Sequence, residues 1–198
     1  SKSLGYDLQG LVPRILKQNP TQLNNIPTFS VVIVGGGAAG ISVASSLLSR
    51  QPNLDIAVID PAEIHYYQPG WTMVGGGIFA PEKTVRTMAS LIPKQVHWIK
   101  AAVAAFDPDN KQVLLEGCKP INYEALVVCP GLKLNWHGIE GLVETLGKNG
   151  VTSNYRYDLA PYTWDLVRNM KQGKAIFTQP PMPIKCAGAP QKAMYLSA

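Results

Sequence analysis

Gly35, Gly37 and Gly40 stand in the order G-x-G-x-x-G, and an acid, Asp60, follows about 20 residues later. Glycines at that spacing suit a dinucleotide pyrophosphate. The first permits a tight turn, the second lets the backbone approach the phosphates, and the third lets a helix pack closely on a strand. Ala38 and Ala39 lie where that helix begins, so their N–H groups and the positive end of the helix dipole face the phosphate oxygens. Asp60 ends the following strand, where a carboxylate accepts hydrogen bonds from ribose hydroxyls and disfavours a 2′-phosphorylated cofactor. FAD and NAD satisfy this pattern equally. The competing reading, glycines used only for packing, leaves the coincidence of strand, glycines, helix and acid unexplained.

The other reactive position is Cys186, in the stretch PPMPIKCAGAP. It follows KAIFTQ, at the place where a second G-x-G-x-x-G would hold NAD. Pyrophosphate binding needs free N–H groups, and proline has none. This loop suits thiol chemistry instead. Lys185 and Lys192 bring positive charge nearby in sequence, and Pro190 fits the first turn of a helix. The alternative for Cys186 is a small buried hydrophobe.

These residues need an α/β scaffold, and the texture of the chain supplies one. Residues 1–29 mix Gly, Pro, Asn, Gln and Thr with one apolar piece, LVPRIL, and are expected to form a partly flexible N-terminal extension. From about Ser30 to Val34 an apolar strand enters the glycines. A small-residue helix follows over Ala38 to Arg50, and DIAVID forms the next strand. Beyond the loop PAEIHYYQPGW, the spacing predicts a helix over Thr84 to Leu91, bounded by Pro81 and Pro93. Four short strands, QVHWI, AAVAAF, KQVLLE and EALVVC, make a small β insertion. A helix around Asp158 to Lys171 and a strand at KAIFTQ then begin a second α/β unit. The expected division is a Rossmann-like domain over residues 30–147 and the incomplete opening of a second Rossmann-like domain over 148–198.

Composition narrows the function. Hydrophobic residues at 46% and charged residues at 16% describe a chain that can bury a core. The 18 Lys and Arg against 13 Asp and Glu give a net charge of +5, but no basic block occurs, which argues against nucleic acid as a partner. Cys118, Cys129 and Cys186 form no CxxC pair and no even set, so a reducing compartment is expected. His97 and His137 are isolated, and no metal-ligand spacing is present. No apolar run approaches the roughly 20 residues that span a bilayer, and no secretion signal is evident at Ser1.

Two stretches, DPAEIHYYQPGWTMVGGG and PIKCAGAPQKAMYLS, fall outside generic Rossmann grammar. With SNYRYD and GKAIFTQP, they resemble the sulfide:quinone oxidoreductases, two-domain flavoproteins shared by bacteria and mitochondria, from about Val31 to the last residue. The resemblance implies that the glycine loop and Asp60 hold FAD. It makes Cys186 the catalytic cysteine, one of two forming a sulfide-reactive bridge, with the second expected downstream of Ala198. The loop from His65 to Trp71, including Gln68, would line the flavin, and the backbone around Val103 would face the adenine. The segment LVVCPG corresponds to one whose backbone passes the cofactor, which places Gly131 beside FAD. Cys129 is read there as a packing residue, Pro130 removes an N–H, and Cys118 is expected to be exposed and incidental. The implied partners are sulfide, a small sulfur acceptor and a membrane quinone. Association would be peripheral, at a bacterial cytoplasmic membrane or a mitochondrial inner membrane, with homo-oligomerisation left open. Two readings compete: an NADH-dependent flavoprotein, which the missing second fingerprint disfavours, and a non-catalytic nucleotide-binding protein.

Overall fold

Two β-branched runs, VVIV and IAVI, build the centre of the molecule because such residues fill both faces of a covered parallel sheet. The computed structural model describes residues 26–198. The runs form β1 (Thr28–Val34) and β2 (Ile56–Ile59), joined by α1 (Ala38–Arg50). Further strands are β3 (Ile64–Tyr66), β4 (Val85–Thr87), β5 (His97–Ile99), β6 (Val103–Asp107), β7 (Gln112–Leu115) and β8 (Ile121–Val128). Six of them make one sheet in the order β5-β2-β1-β8-β7-β6. The pairs β1–β2, β1–β8 and β2–β5 are parallel, whereas β6–β7 and β7–β8 are antiparallel. The fold is the expected α/β one, but the expected four-strand β insertion is smaller. QVHWI and EALVVC contribute β5 and β8, which pair in parallel with β2 and β1 in the central sheet, and only β6 and β7 form the antiparallel insertion.

Successive β1 side chains point to opposite faces and serve two cores. Val31 and Ile33 join Ile56, Val58, Ala44 and Leu48 beneath α1, together with Met88 and Ile92. Val32 and Val34 join Ala57, Ile59, Val113 and Ile121 on the other side. Helix α1 buries Gly40, Ala44 and Leu48, spaced four apart along one face.

Past β3, the short helices α2 (Trp71–Gly75) and α3 (Met88–Leu91) are followed by α4 (Leu142–Thr145), α5 (Ala160–Asn169) and α6 (Gly188–Ser197). Pro190 lies in the first turn of α6, as its residue type suggested. Helix α2 packs against both α5 and α6, which brings the last part of the chain back to the loop after β3.

Three further sequence expectations are corrected. The helix expected over Thr84–Leu91 is a 3-10 turn (Pro81–Thr84), then β4, then α3. Val85 and Thr87 are β-branched, and β4 finds a partner in β3, His65 lying opposite Arg86. Pairing overrides the short helical pattern. The strand expected at KAIFTQ does not form; Ile176 is 82% exposed and no described strand lies beside it to complete a ladder. Strand β1 begins at Thr28, inside the expected extension, while LVPRIL lies outside the described residues.

Ile33 is fully buried at the centre of β1. Ile33→Ala is expected to lower unfolding free energy by about 2–5 kcal/mol, and Ile33→Val by about 0.5–1.5 kcal/mol, in denaturant titrations.

Candidate cofactor and redox site

The turn between β1 and α1 is pinned from two sides. The Gly35 N–H donates to the Ile59 carbonyl at 2.9 Å, and the Cys129 N–H donates to the Val34 carbonyl at 2.7 Å. Gly35 has φ +98°, and a Cβ there would lie 2.1 Å from the Cys129 carbonyl oxygen. A Cβ on Gly40 would lie 1.9 Å from the Gly35 oxygen. The fold's own packing therefore demands glycine at 35 and 40. Gly37 differs. Its φ of −71° suits any residue, and a Cβ there would meet nothing within 4 Å. Its glycine leaves a cradle that a side chain would fill, which fits the close approach of a pyrophosphate.

The first amide inside α1 to find a helical acceptor is that of Ile41, bonded to the Gly37 carbonyl at 3.0 Å. The N–H groups of Ala38, Ala39 and Gly40 therefore have no acceptor within the helix. Ala38 and Ala39 are exposed, and no acid in the first turn offsets the positive end of the dipole.

Asp60 is held as a ready acceptor. One carboxylate oxygen accepts the Gly36 N–H at 2.7 Å, and the other accepts the Ala62 N–H at 2.8 Å. Its backbone is fixed as well: its N–H donates to the Ile99 carbonyl at 3.1 Å, and its carbonyl accepts the Trp98 indole N–H at 2.9 Å. Each oxygen keeps a lone pair free, which fits a ribose hydroxyl. Val103 starts β6 with its side chain against the second core, so its backbone is what remains to face a ligand. Gly131 has φ +80° and open space around it.

After β3, Tyr66, Trp71 and Tyr157 form an aromatic cluster, with the Tyr66 and Tyr157 ring centroids 4.9 Å apart. Burial raises the pKa of the Tyr157 phenol, and Glu82 and Tyr66 push it the same way. The buried Trp71 indole N–H has no acceptor among the described residues. His65 sits half-buried in β3.

Cys186 is exposed, which removes the reading of a buried hydrophobe. The neighbouring Lys185 ammonium donates to the side-chain oxygen of Gln68, so the cysteine loop meets the loop after β3. The Tyr155 phenol is raised, first by burial and then by the presence of Cys186. Cys118 is exposed, as expected, and Cys129 is half-buried. The sequence had singled out no role for Tyr155 or Tyr157. They lie in an irregular loop before α5, where no periodicity marks them, and chain folding alone brings them to Cys186 and Trp71.

Residues 29–179 match the family described as pyridine nucleotide-disulphide oxidoreductase. The mitochondrial sulfide:quinone oxidoreductase of Dictyostelium discoideum is 49% identical over 168 residues, covering 84% of this chain and 37% of that protein. The mitochondrial enzyme of Mus musculus is 40% identical over 169 residues, covering 85% and 38%. Among solved structures, the sulfide:quinone oxidoreductase of the bacterium Aquifex aeolicus superimposes with a TM-score of 0.58 at 28% identity, over 72% of this chain and 32% of that one. The chain thus spans less than two fifths of the length of these curated relatives, 37% and 38%.

FAD is the cofactor of this group of flavoproteins, and the cradle at Gly37, the free α1 amides and the preset Asp60 carboxylate fit its dinucleotide part. Gly37→Ala is expected to leave stability without flavin within about 0.5 kcal/mol of wild type. It should weaken FAD binding at least about tenfold, as followed by flavin fluorescence, through a Cβ set where the phosphates approach. Gly40→Ala, in contrast, should lower the melting temperature without any ligand. The chain belongs to the pyridine nucleotide-disulphide oxidoreductase family, and its relatives within it include the FAD-binding sulfide:quinone oxidoreductases.

Proposed function

We propose that this chain carries the FAD-binding and sulfide-reactive part of a sulfide:quinone oxidoreductase. The observation that carries the reading is the meeting of the Cys186 loop with Gln68, in a loop that follows the ribose-binding strand. Its support is the identity to named sulfide:quinone oxidoreductases and the proline-rich stretch standing where NAD would need glycines. The division of the chain near residue 147 belongs to the same reading.

Gly35, Gly37, Ala38, Ala39 and Gly40 would hold the pyrophosphate, Asp60 the ribose, and the Val103 backbone the adenine. Gly131 and Gln68 would lie toward the flavin. FAD supplies a two-electron acceptor that passes its electrons to a membrane quinone. Cys186 works as half of a disulfide whose second sulfur lies outside these residues. Sulfide attacks that disulfide: one S–S bond forms and another breaks, leaving a persulfide on one cysteine and a thiolate on the other. The outer persulfide sulfur then passes to sulfide or a small thiol. Closure of the two thiolates into the disulfide releases two electrons and restores the resting state, and the reduced quinone takes up two protons. The membrane contact is peripheral in this reading; no helix among the described residues is long and apolar enough to cross a bilayer.

Anaerobic titration of the flavin-loaded protein tests the reading. Sulfide should bleach the flavin absorbance and NADH should not, and Cys186→Ser should slow bleaching by sulfide at least about 1,000-fold, as expected when a covalent nucleophile is removed. Bleaching by NADH alone would overturn the reading.

A further inference from the structure

Two stretches far apart in sequence meet around Cys186. Gln68 opens a 3-10 turn (Gln68–Gly70) that runs directly into α2, which ends at Gly75 with Gly76 and Gly77 beyond it. At one end of this stretch, Lys185 donates to the Gln68 side-chain oxygen across 117 positions of sequence. At the other end, a Cβ on Gly76 would lie 2.9 Å from Cβ of Leu196, so that glycine exists to seat α6. A Cβ on Gly77 would lie 2.5 Å from the Trp164 ring, which closes the same seat from α5.

Lys185 and Leu196 bracket Cys186. The stretch from Gln68 to Gly77 therefore grips the cysteine-bearing stretch twice: by a polar latch ahead of the sulfur and by a glycine seat behind it. Beyond these grips, the Cys186 carbonyl accepts the Ala189 N–H at 3.3 Å, and Tyr155 lies nearby. Residues 180–187 carry no helix or strand, and all but Ile184 among them are exposed. The ammonium-to-amide bond is charge-assisted, which makes it stronger than a neutral contact in the same place.

We propose that Gln68 and Lys185 are positioning residues whose hydrogen bond holds the Cys186 sulfur at the cofactor side of its loop. The inference rests on the reading of Cys186 as the redox cysteine. Transfer at sulfur requires reacting atoms about 3–3.5 Å apart, and a displacement of about 1 Å can cost about 100-fold in rate. The glycine seat holds α6 near its end, at Leu196; the latch acts on the residues before the helix.

Rapid-mixing measurements on the flavin-loaded holoenzyme test the latch. Lys185→Met and Gln68→Leu should each lower the limiting rate of flavin reduction by sulfide about 10- to 100-fold. The half-saturating sulfide concentration and the flavin content of Lys185→Met should stay within about twofold of wild type, because the loss is one of placement rather than binding. The double variant should be no slower than the slower single one, since one interaction can be lost only once. Lys185→Arg, which keeps a cationic donor, should recover most of the rate. Hydrogen exchange in a peptide covering residues 182–190 gives a readout independent of turnover. It should quicken in Lys185→Met and quicken no further in the double variant.

Unchanged exchange in Lys185→Met, an unchanged rate in that variant, or additive losses in the double variant would each overturn the latch. A wild-type holoenzyme that sulfide fails to reduce would overturn the redox reading of Cys186 instead, and the exchange data would still decide whether Gln68 holds the loop.

Discussion

The backbone contact between Gly35 and the Cys129 carbonyl sets the position of everything a dinucleotide would touch. A left-handed turn at Gly35 lets β1 end against β8 with no side chain between them, and the hydrogen bond from Cys129 to Val34 locks the two strand ends together. Gly40 then rests on the Gly35 carbonyl, which fixes the start of α1. From that one turn the exposed amides of Ala38 and Ala39 acquire their direction. The N–H of Gly36, turned the other way, reaches the Asp60 carboxylate and ties the glycine loop to the end of β2. The glycine loop and the Asp60 carboxylate are thus parts of one hydrogen-bonded unit, not two loops that happen to be close.

The division of labour among the glycines follows from this. Some are demanded by the protein's own contacts, others by space the protein leaves open. Gly35 and Gly40 are of the first kind and Gly37 is of the second. Gly75, Gly76 and Gly77 repeat the first kind elsewhere, where side chains of Asn154, Leu196 and Trp164 occupy the room that a Cβ would take. Close packing there welds the later helices to the loop after β3. Cys186, exposed itself, lies just ahead of one of those helices.

The aromatic residues around the loop after β3 set a different environment from the glycine loop. Tyr66, Trp71 and Tyr157 form a partly buried wall, and burial holds the Tyr155 and Tyr157 phenols in their neutral form more strongly than solvent would.

Much of this was legible in the amino-acid string. The fingerprint Gly35, Gly37, Gly40 with Asp60 and the β-branched runs of β1 and β2 are local patterns, because turn geometry, helix dipole and strand period act over a few residues. The proline-rich setting of Cys186 was equally visible, since a missing N–H is a property of the residue itself. Other features depended on partners remote in sequence. Val85 to Thr87 are a strand because β3 offers a ladder, and KAIFTQ is not one because no described strand pairs with it. Nothing near Gln68 announces Lys185, and nothing in SNYRYD announces Cys186 or Trp71. Short-range rules place each reactive group on its element; which groups then meet is settled by packing between elements, where contacts form without any local sequence signature.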